Sequence, residues 1–391
     1  MANRGIGFGI ERSPGKPRRI YAILSGGDYS RLPMDQPTSA AAQPVAPRLV
    51  ALDGLRGIAA IVVLMFHFEQ FHGNRGLFAS GYLAVDFFFL LSGFVLVGPI
   101  ERRGGRPVDG LRIFASRFLR FWPLVALGAA LGAGVELFSW PPGQVLPLLA
   151  LAWLSIPLAW QAGDAFALNG PQWSLFVELA WNALHIVLLR KLSTPVLLFV
   201  SCAFGCGLWF GAASLTTEAI GREYDEIVIG LVRAGFAYPL GIVIGRKQQA
   251  LRAIPQVATW AAPALLVAAI VVPTIAGMSE LAADFFARAA FVVVLILGIR
   301  SQPSEQAART LAWLGGISFP LYAIHAPIIA LAAMVGEAAP AGLQSLIFLG
   351  GPALAVGLAH MLSRSWLARG IRLPTGSRVR IRQSIPVAHG G

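Results

Sequence analysis

Long, uninterrupted apolar runs constrain this chain more than any other feature. They fall at about 50–71, 80–99, 121–139, 143–160, 172–190, 195–213, 227–245, 257–277, 281–299, 311–334 and 342–362. Each is near or above the roughly 17–25 residues a helix needs to cross a bilayer. The runs are continuous rather than alternating, so helices and not a water-filled barrel are expected. Composition agrees, with 56% apolar and only 13% charged residues, against about a quarter charged in a soluble protein. No internal repeat is detectable, so symmetry lends nothing to an inverted-repeat transporter.

Charge orients the spans. Lys and Arg number 31 against 19 acidic residues, a net +12, and the excess is uneven. The segment 143–160 is interrupted by Pro147 and Pro157 and preceded by Pro141-Pro142-Gly143, which suits a re-entrant or interfacial piece. Leaving it out puts every basic linker on one side: Arg102 to Arg120, Arg190-Lys191, Arg246-Lys247, Arg300 to Arg309, and the tail from Arg364 to Arg382. By the positive-inside rule that side is cytoplasmic. The expectation is an all-α polytopic membrane protein with about ten transmembrane helices and both termini in the cytoplasm. Residues 1–48, polar and rich in Pro, Gly and Arg, read as a disordered cytoplasmic tail without a signal peptide. A membrane domain is expected over 49–366 and a basic cytoplasmic tail over 367–391. No basic domain with an aromatic or helical reader is present, so nucleic-acid binding is set aside.

Polar residues inside such runs mark candidate sites. Leu52-Asp53-Gly54-Leu55-Arg56-Gly57 leads through an apolar stretch to His67. Arg56 and His67 are eleven residues apart, about three turns, roughly 16 Å of rise and about 20° of rotation, so both lie on one helix face. Asp86 stands in the apolar Val85-Asp86-Phe87-Phe88 run, where a lone carboxylate is disfavoured unless paired or protonated. Arg117 and Arg120 share a helix face and can grip phosphate oxygens. In Trp173-Ser174-Leu175-Phe176-Val177-Glu178, Glu178 shares a face with Ser174, Trp181 and His185. Ser318, Tyr322 and His325 share another face, on a segment kinked by Pro320 and Pro327. Cys202 and Cys206 lack further ligands and read as packing, and no metal site is expected. No P-loop, dinucleotide fingerprint, zincin helix or nucleophile elbow is present.

Taken together and in this order, these pieces resemble the membrane acyltransferase-3 family over about residues 50–365. The likeness rests on Asp53-Gly54-Leu55-Arg56-Gly57 with His67, the stretch from Val85 to Phe94, Arg117-x-x-Arg120-x-x-Pro123, the run from Trp173 to Glu178, and Ser318 to Pro327. It implies an acyltransferase of the inner (plasma) membrane. The donor would be acyl-CoA, in the first instance acetyl-CoA, and the acceptor a carbohydrate hydroxyl, such as that of a surface polysaccharide or glycolipid. His67 would act as general base, with Arg56 holding either the thioester oxyanion or the CoA phosphates. Arg117 and Arg120 would bind CoA phosphates, and Glu178 or Asp86 would orient His67 or pair Arg56. Trp173, Ser174, Tyr322 and His325 are expected at the substrate site. Two alternatives stand beside this: acylation of a non-sugar hydroxyl, on a macrolide or lipid, and a proton-coupled transporter or flippase relaying protons through Asp86, Glu178 and His67.

Overall fold

The computed structural model describes residues 50–73, 76–101, 110–158, 163–212, 223 and 227–371, with the backbone of two short strands nearer the start. The chain divides into two units, Met1–Arg48 and Leu49–Gly391. In the first, Phe8–Gly9 (β1) and Tyr21–Ala22 (β2) pair antiparallel. The rest of the expected N-terminal tail lies outside the described residues, as do Arg102, Arg103, Arg106 and the basic tail from Arg372 onward.

The second unit is helical. Its long elements are α1 (Val50–Phe71), α2 (Ala84–Glu101), α3 (Gly110–Glu136), α4 (Pro142–Trp153), α5 (Gln172–Val187) and α6 (Thr194–Ala212). They continue with α7 (Ile227–Arg246), α8 (Ala261–Ile275), α9 (Glu280–Arg300), α10 (Glu305–Ala338) and α11 (Ala341–Ser363), and a last turn, α12 (Trp366–Arg369). Local sequence sets several starts. Ser279 and Ser304 accept hydrogen bonds from Ala282 and Ala307 N–H and cap α9 and α10, each followed by a glutamate that suits the helix dipole. Pro142 opens α4, where a missing N–H costs nothing.

Among the described residues, seven helices are long and apolar enough to cross a membrane. These are the helices containing α1, α2, α3, α7, α9, α10 and α11. The sequence led us to expect about ten. The expected spans outside this set are α5, α6 and α8, and of α6 the stretch Thr194–Phe210 is apolar but shorter than a full crossing. Helix α8 has 15 residues, and α5 has 16 and carries Gln172, Ser174, Asn182 and His185 buried along its length. Polar residues facing inward lower a helix's hydropathy without exposing anything polar to lipid. The proline-interrupted segment forms only the 12-residue α4, too short to span.

Two helices distant in sequence form the central pair. Gly57 lies against the backbone of Leu314 so closely that a Cβ there would overlap its carbonyl. Arg56 meets Ser318 and His67 meets His325, so α1 and α10 run parallel. A second parallel pair is α2 with α7, joined at Asp86–Arg233 near one end and Glu101–Arg246 at the other. Helix α9 also parallels α2, with Tyr82–Asp284 and Asp86–Arg288 in step.

Prolines inside helices leave carbonyls without their usual partners. Pro327 frees the Ala323 carbonyl, which accepts from Asn169 Nδ2 at 3.0 Å. Pro123 frees the Leu119 carbonyl, which accepts from the Ile371 N–H at 3.0 Å. The segment after α12 therefore lies across α3, and Gly370 (φ 65°) presses on the backbone of Arg120. Leu367 and Ala368 pack onto the cluster built around Leu64, Leu124 and Ile324.

Gly57→Val tests the central pair: overpacking costs about 1–3 kcal/mol, so the detergent-solubilised variant should unfold at lower temperature than the parent. Equal thermal stability would mean that α1 and α10 are free to separate there.

Candidate active site

Five helices converge on an open-mouthed cavity of about 140 Å³. Helix α1 contributes Arg56, α2 Ser92, α3 Arg117 and Arg120, α5 Ser174 and Glu178, and α10 Ser318 and Tyr322. Apolar wall comes from Phe88, Phe121, Leu175 and Phe319. Three guanidinium groups and one carboxylate thus face a single space, an arrangement suited to a polyanion with an apolar arm.

Each charged side chain is held by its own helix or a neighbour. Arg56 donates from Nη2 to Ser318 Oγ at 3.2 Å and lies 3.6 Å from Asp53 one turn earlier. Ser318 Oγ donates a hydrogen bond to the Gly315 carbonyl at 2.8 Å, leaving oxygen lone pairs for the arginine. Arg117 and Arg120 lie one turn apart on α3, with Arg120 exposed at the mouth. Glu178 accepts from Ser92 Oγ at 2.8 Å. Behind Glu178 the polar contacts continue. Tyr238 donates to Asn182 Oδ1 at 2.9 Å, and His185 bridges Tyr238 (3.3 Å) and Glu101 (3.0 Å). Arg246 clamps Glu101 through two bonds of 2.7 and 2.9 Å. His185 thus belongs to packing, inside a network that fixes α5 against α2 and α7.

Ser174 and Tyr322 line the cavity, their hydroxyls 2.6 Å apart. Both hydroxyls also face the Pro171 carbonyl, Ser174 at 3.0 Å and Tyr322 at 3.5 Å.

Other expectations need correction. Asp86 pairs with neither Arg56 nor His67. It lies 3.1 Å from Arg233 Nε and 2.9 Å from Arg288 Nε, and Arg288 also bonds Asp284 at 3.0 Å. Tyr82 donates to Asp284 at 2.6 Å. Asp86, Arg233 and Arg288 are all at most 4% exposed, so two cations and two carboxylates compensate one another where none is tolerated singly. This also takes Asp86 out of a proton line through Glu178 and His67. Trp173 does not line the cavity; it is buried beneath Arg233, 5.7 Å from the guanidinium, and against Phe89. His325 is wholly buried and its ring nitrogens face the Leu321 and Tyr322 carbonyls and His67, so no nitrogen is left for a substrate. Glu178 bonds Ser92 and not His67.

His67 shares α1 with Arg56 but is not part of the cavity wall. Its Nδ1 is 2.9 Å from the Val63 carbonyl and 3.2 Å from His325 Nε2. Tyr322, whose ring centroid is 5.7 Å from that of His325, is the wall residue nearest this pair in the chain of contacts. Sequence reasoning missed Arg233, Arg288 and Glu101 as partners. The signal was available: Arg233 and Arg288 sit within the apolar runs 227–245 and 281–299, where an arginine calls for a counter-charge.

Residues 49–362 match the model of the family described as "Acyltransferase domain". The chain is similar to the acyltransferase MdmB of Streptomyces mycarofaciens, 29% identical over 331 residues, covering 73% of this chain and 80% of that protein. It is 26% identical over 329 residues to the peptidoglycan O-acetyltransferase OatA of Listeria monocytogenes, covering 73% of this chain and 50% of that protein. It is 25% identical over 319 residues to the exopolysaccharide production protein ExoZ of Rhizobium meliloti, covering 78% and 95%. No solved structure gives a significant match.

Asp86→Asn should leave Arg233 and Arg288 short of counter-charge and cost about 3–5 kcal/mol, read as a large fall in unfolding temperature or in folded yield. A variant of full stability that lacked activity would return Asp86 to the chemistry.

Proposed function

The chain belongs to the acyltransferase domain family, and from that premise we propose that it moves an acyl group, acetyl in the simplest case, from acyl-CoA to a carbohydrate hydroxyl. The observation that carries this reading is the cavity that gathers Arg56, Arg117 and Arg120 around one space. Guanidinium groups are the preferred partners of phosphate oxygens, and the phenylalanines between them suit a pantetheine arm. The names of two similar proteins, a peptidoglycan O-acetyltransferase and an exopolysaccharide production protein, favour a carbohydrate acceptor.

In this reading Arg117 and Arg120 hold the donor's phosphates at the mouth, and Arg56 supplies a third positive charge within. The acceptor reaches His67 from the far end of α1. His67 Nε2 takes the hydroxyl proton, the alkoxide oxygen bonds to the thioester carbon, and the carbon–sulfur bond breaks. The leaving thiolate then recovers the proton, so the ester and free CoA thiol form with no net proton change. Tyr322 and His325 link the cavity wall to His67 through ring contacts, so the thioester carbon has to pass beyond the described cavity to meet the hydroxyl held at His67.

We further propose a ten-span arrangement in the inner membrane, with the tails 1–48 and 367–391 in the cytoplasm beside the acyl-CoA pool. Helix directions support it. Helices α7 and α9 both parallel α2, so α8 between them crosses despite its length. Helix α10 parallels α1, as a first and a ninth span would. The placement of basic linkers gives the side.

Purified protein with labelled acetyl-CoA and a glycan acceptor should release CoA only when the acceptor is present. His67→Ala should abolish transfer while leaving the unfolding temperature in place, and full activity in that variant would remove the base. Arg120→Ala should raise the donor KM about tenfold or more, the loss of one charge-assisted bond, with the acceptor KM unmoved. A reporter fused after Gly391 should read as cytoplasmic; a periplasmic signal would overturn the topology.

A further inference from the structure

We infer that the inner end of the cavity is an acyl pocket, closed by Val85 and Phe89, that admits short acyl groups up to butyryl; the inference rests on acyl-CoA being the donor. Burial gives the direction. On α2, Val85, Phe88, Phe89, Ser92 and Val95 recur at helical spacing, and all of them line the cavity. Exposure along this stripe falls from 48% at Val95 to 8% at Ser92, then to 1% at Phe89 and 5% at Val85. From Val85 to Val95 the helix rises about 15 Å. The open end is therefore at Val95 and the closed end at Val85.

Polarity falls in the same direction on two other helices. Glu178 of α5 bonds Ser92 at 2.8 Å, and Ser174 lies one turn deeper. Ser174 meets Tyr322 of α10, which is one turn deeper than Ser318, the partner of Arg56. The Tyr322 ring meets Phe88 edge-on, with centroids 5.5 Å apart. Arg120 is at the mouth, and Arg117 acts on Tyr238, which bonds Asn182 one turn mouthward of Glu178. The four charged residues of the wall therefore all lie on the mouth side of the Phe88–Tyr322 pair. Past that pair the described wall is Val85 and Phe89. A phosphate or amide there would shed its water and gain no partner, whereas an alkyl chain gains by leaving water. From Phe88 to Val85 the rise is about 4.5 Å, the length of about three carbon–carbon bonds. The end is also stiff. Phe89 packs on Trp173, and Asp86, next to Val85, is tied to Arg233 and Arg288. A longer chain would have to push against that fastening. The selection acts on the bound donor, before the thioester carbon passes on towards His67.

The test measures acceptor-dependent CoA release from acetyl-, butyryl- and hexanoyl-CoA. The parent should use the first two and disfavour hexanoyl-CoA by about tenfold or more, the scale on which an apolar pocket discriminates by size. Val85→Ala, which deepens the closed end, should raise the hexanoyl-to-acetyl ratio of kcat/KM about tenfold. Val95→Ala, at the mouth, should move both donors alike. Should Val85→Ala fold poorly, S-ethyl-, S-butyl- and S-hexyl-CoA as inhibitors of the parent decide the point. Inhibition should tighten about fourfold per added methylene as far as butyl, and weaken at hexyl. The inference falls if the parent uses hexanoyl-CoA as well as acetyl-CoA, if Val85→Ala leaves the donor ratio where it was, or if S-hexyl-CoA binds tightest. If the parent releases CoA from none of the three donors, the acyl-CoA reading fails first and takes this inference with it.

Discussion

The site depends on the contact between α1 and α10. A glycine on α1 lets the two backbones meet at Gly57 and Leu314, and the parallel course that follows sets every later pairing. One step along, Arg56 reaches Ser318; further on, His67 reaches His325. In lipid there is no hydrophobic drive between helices, so close packing of small residues and interhelical hydrogen bonds have to hold such a pair. The residues proposed for chemistry are thus also part of what joins the helices. Changing them touches both activity and assembly, which is why stability has to be measured beside turnover.

A membrane interior that carries this much charge must settle it internally. Two separate arrangements do so. Near the start of α2, Asp86 and Asp284 balance Arg233 and Arg288, with Tyr82 and Trp173 flanking the guanidinium of Arg233. At its other end Glu101 is divided between Arg246 and His185. The cavity opens between these two levels, along the stretch of α2 that holds Phe88 and Ser92. Rigid polar fastenings above and below leave the middle of the helix to form a wall around open space. This division separates charges that support the fold from charges that face a ligand.

Much of this was legible in residue order. Apolar runs placed nearly every helix, and spacing put Arg56 with His67, Arg117 with Arg120, and Ser174 with Glu178 on shared helix faces. Spacing along one helix says nothing about which other helix lies opposite, and the misreadings come from there. Asp86 looked like a catalytic carboxylate because its partners lie 147 and 202 residues away. His325 looked like a ligand contact because His67, which faces its Nε2, comes opposite only when α1 and α10 dock, while the carbonyls at its Nδ1 belong to its own helix. Trp173 was read with its neighbour Ser174, yet adjacent residues on a helix point about 100° apart, and only the serine faces the cavity. Seven of the expected spans meet the length and hydropathy of a crossing helix among the described residues, and α5 falls outside that set because it turns its polar residues inward.

The bond between the Ile371 N–H and the Leu119 carbonyl has a consequence for where the working enzyme stops. The family match closes at residue 362, yet α3's arginine turn is braced by chain lying past that limit, through Leu367, Ala368 and Gly370. Pro123 makes the brace necessary, because it opens a gap in the helix ladder beside the guanidiniums that line the cavity. A shortened chain that keeps the whole homologous region would still lose the staple over that gap, and water would take its place.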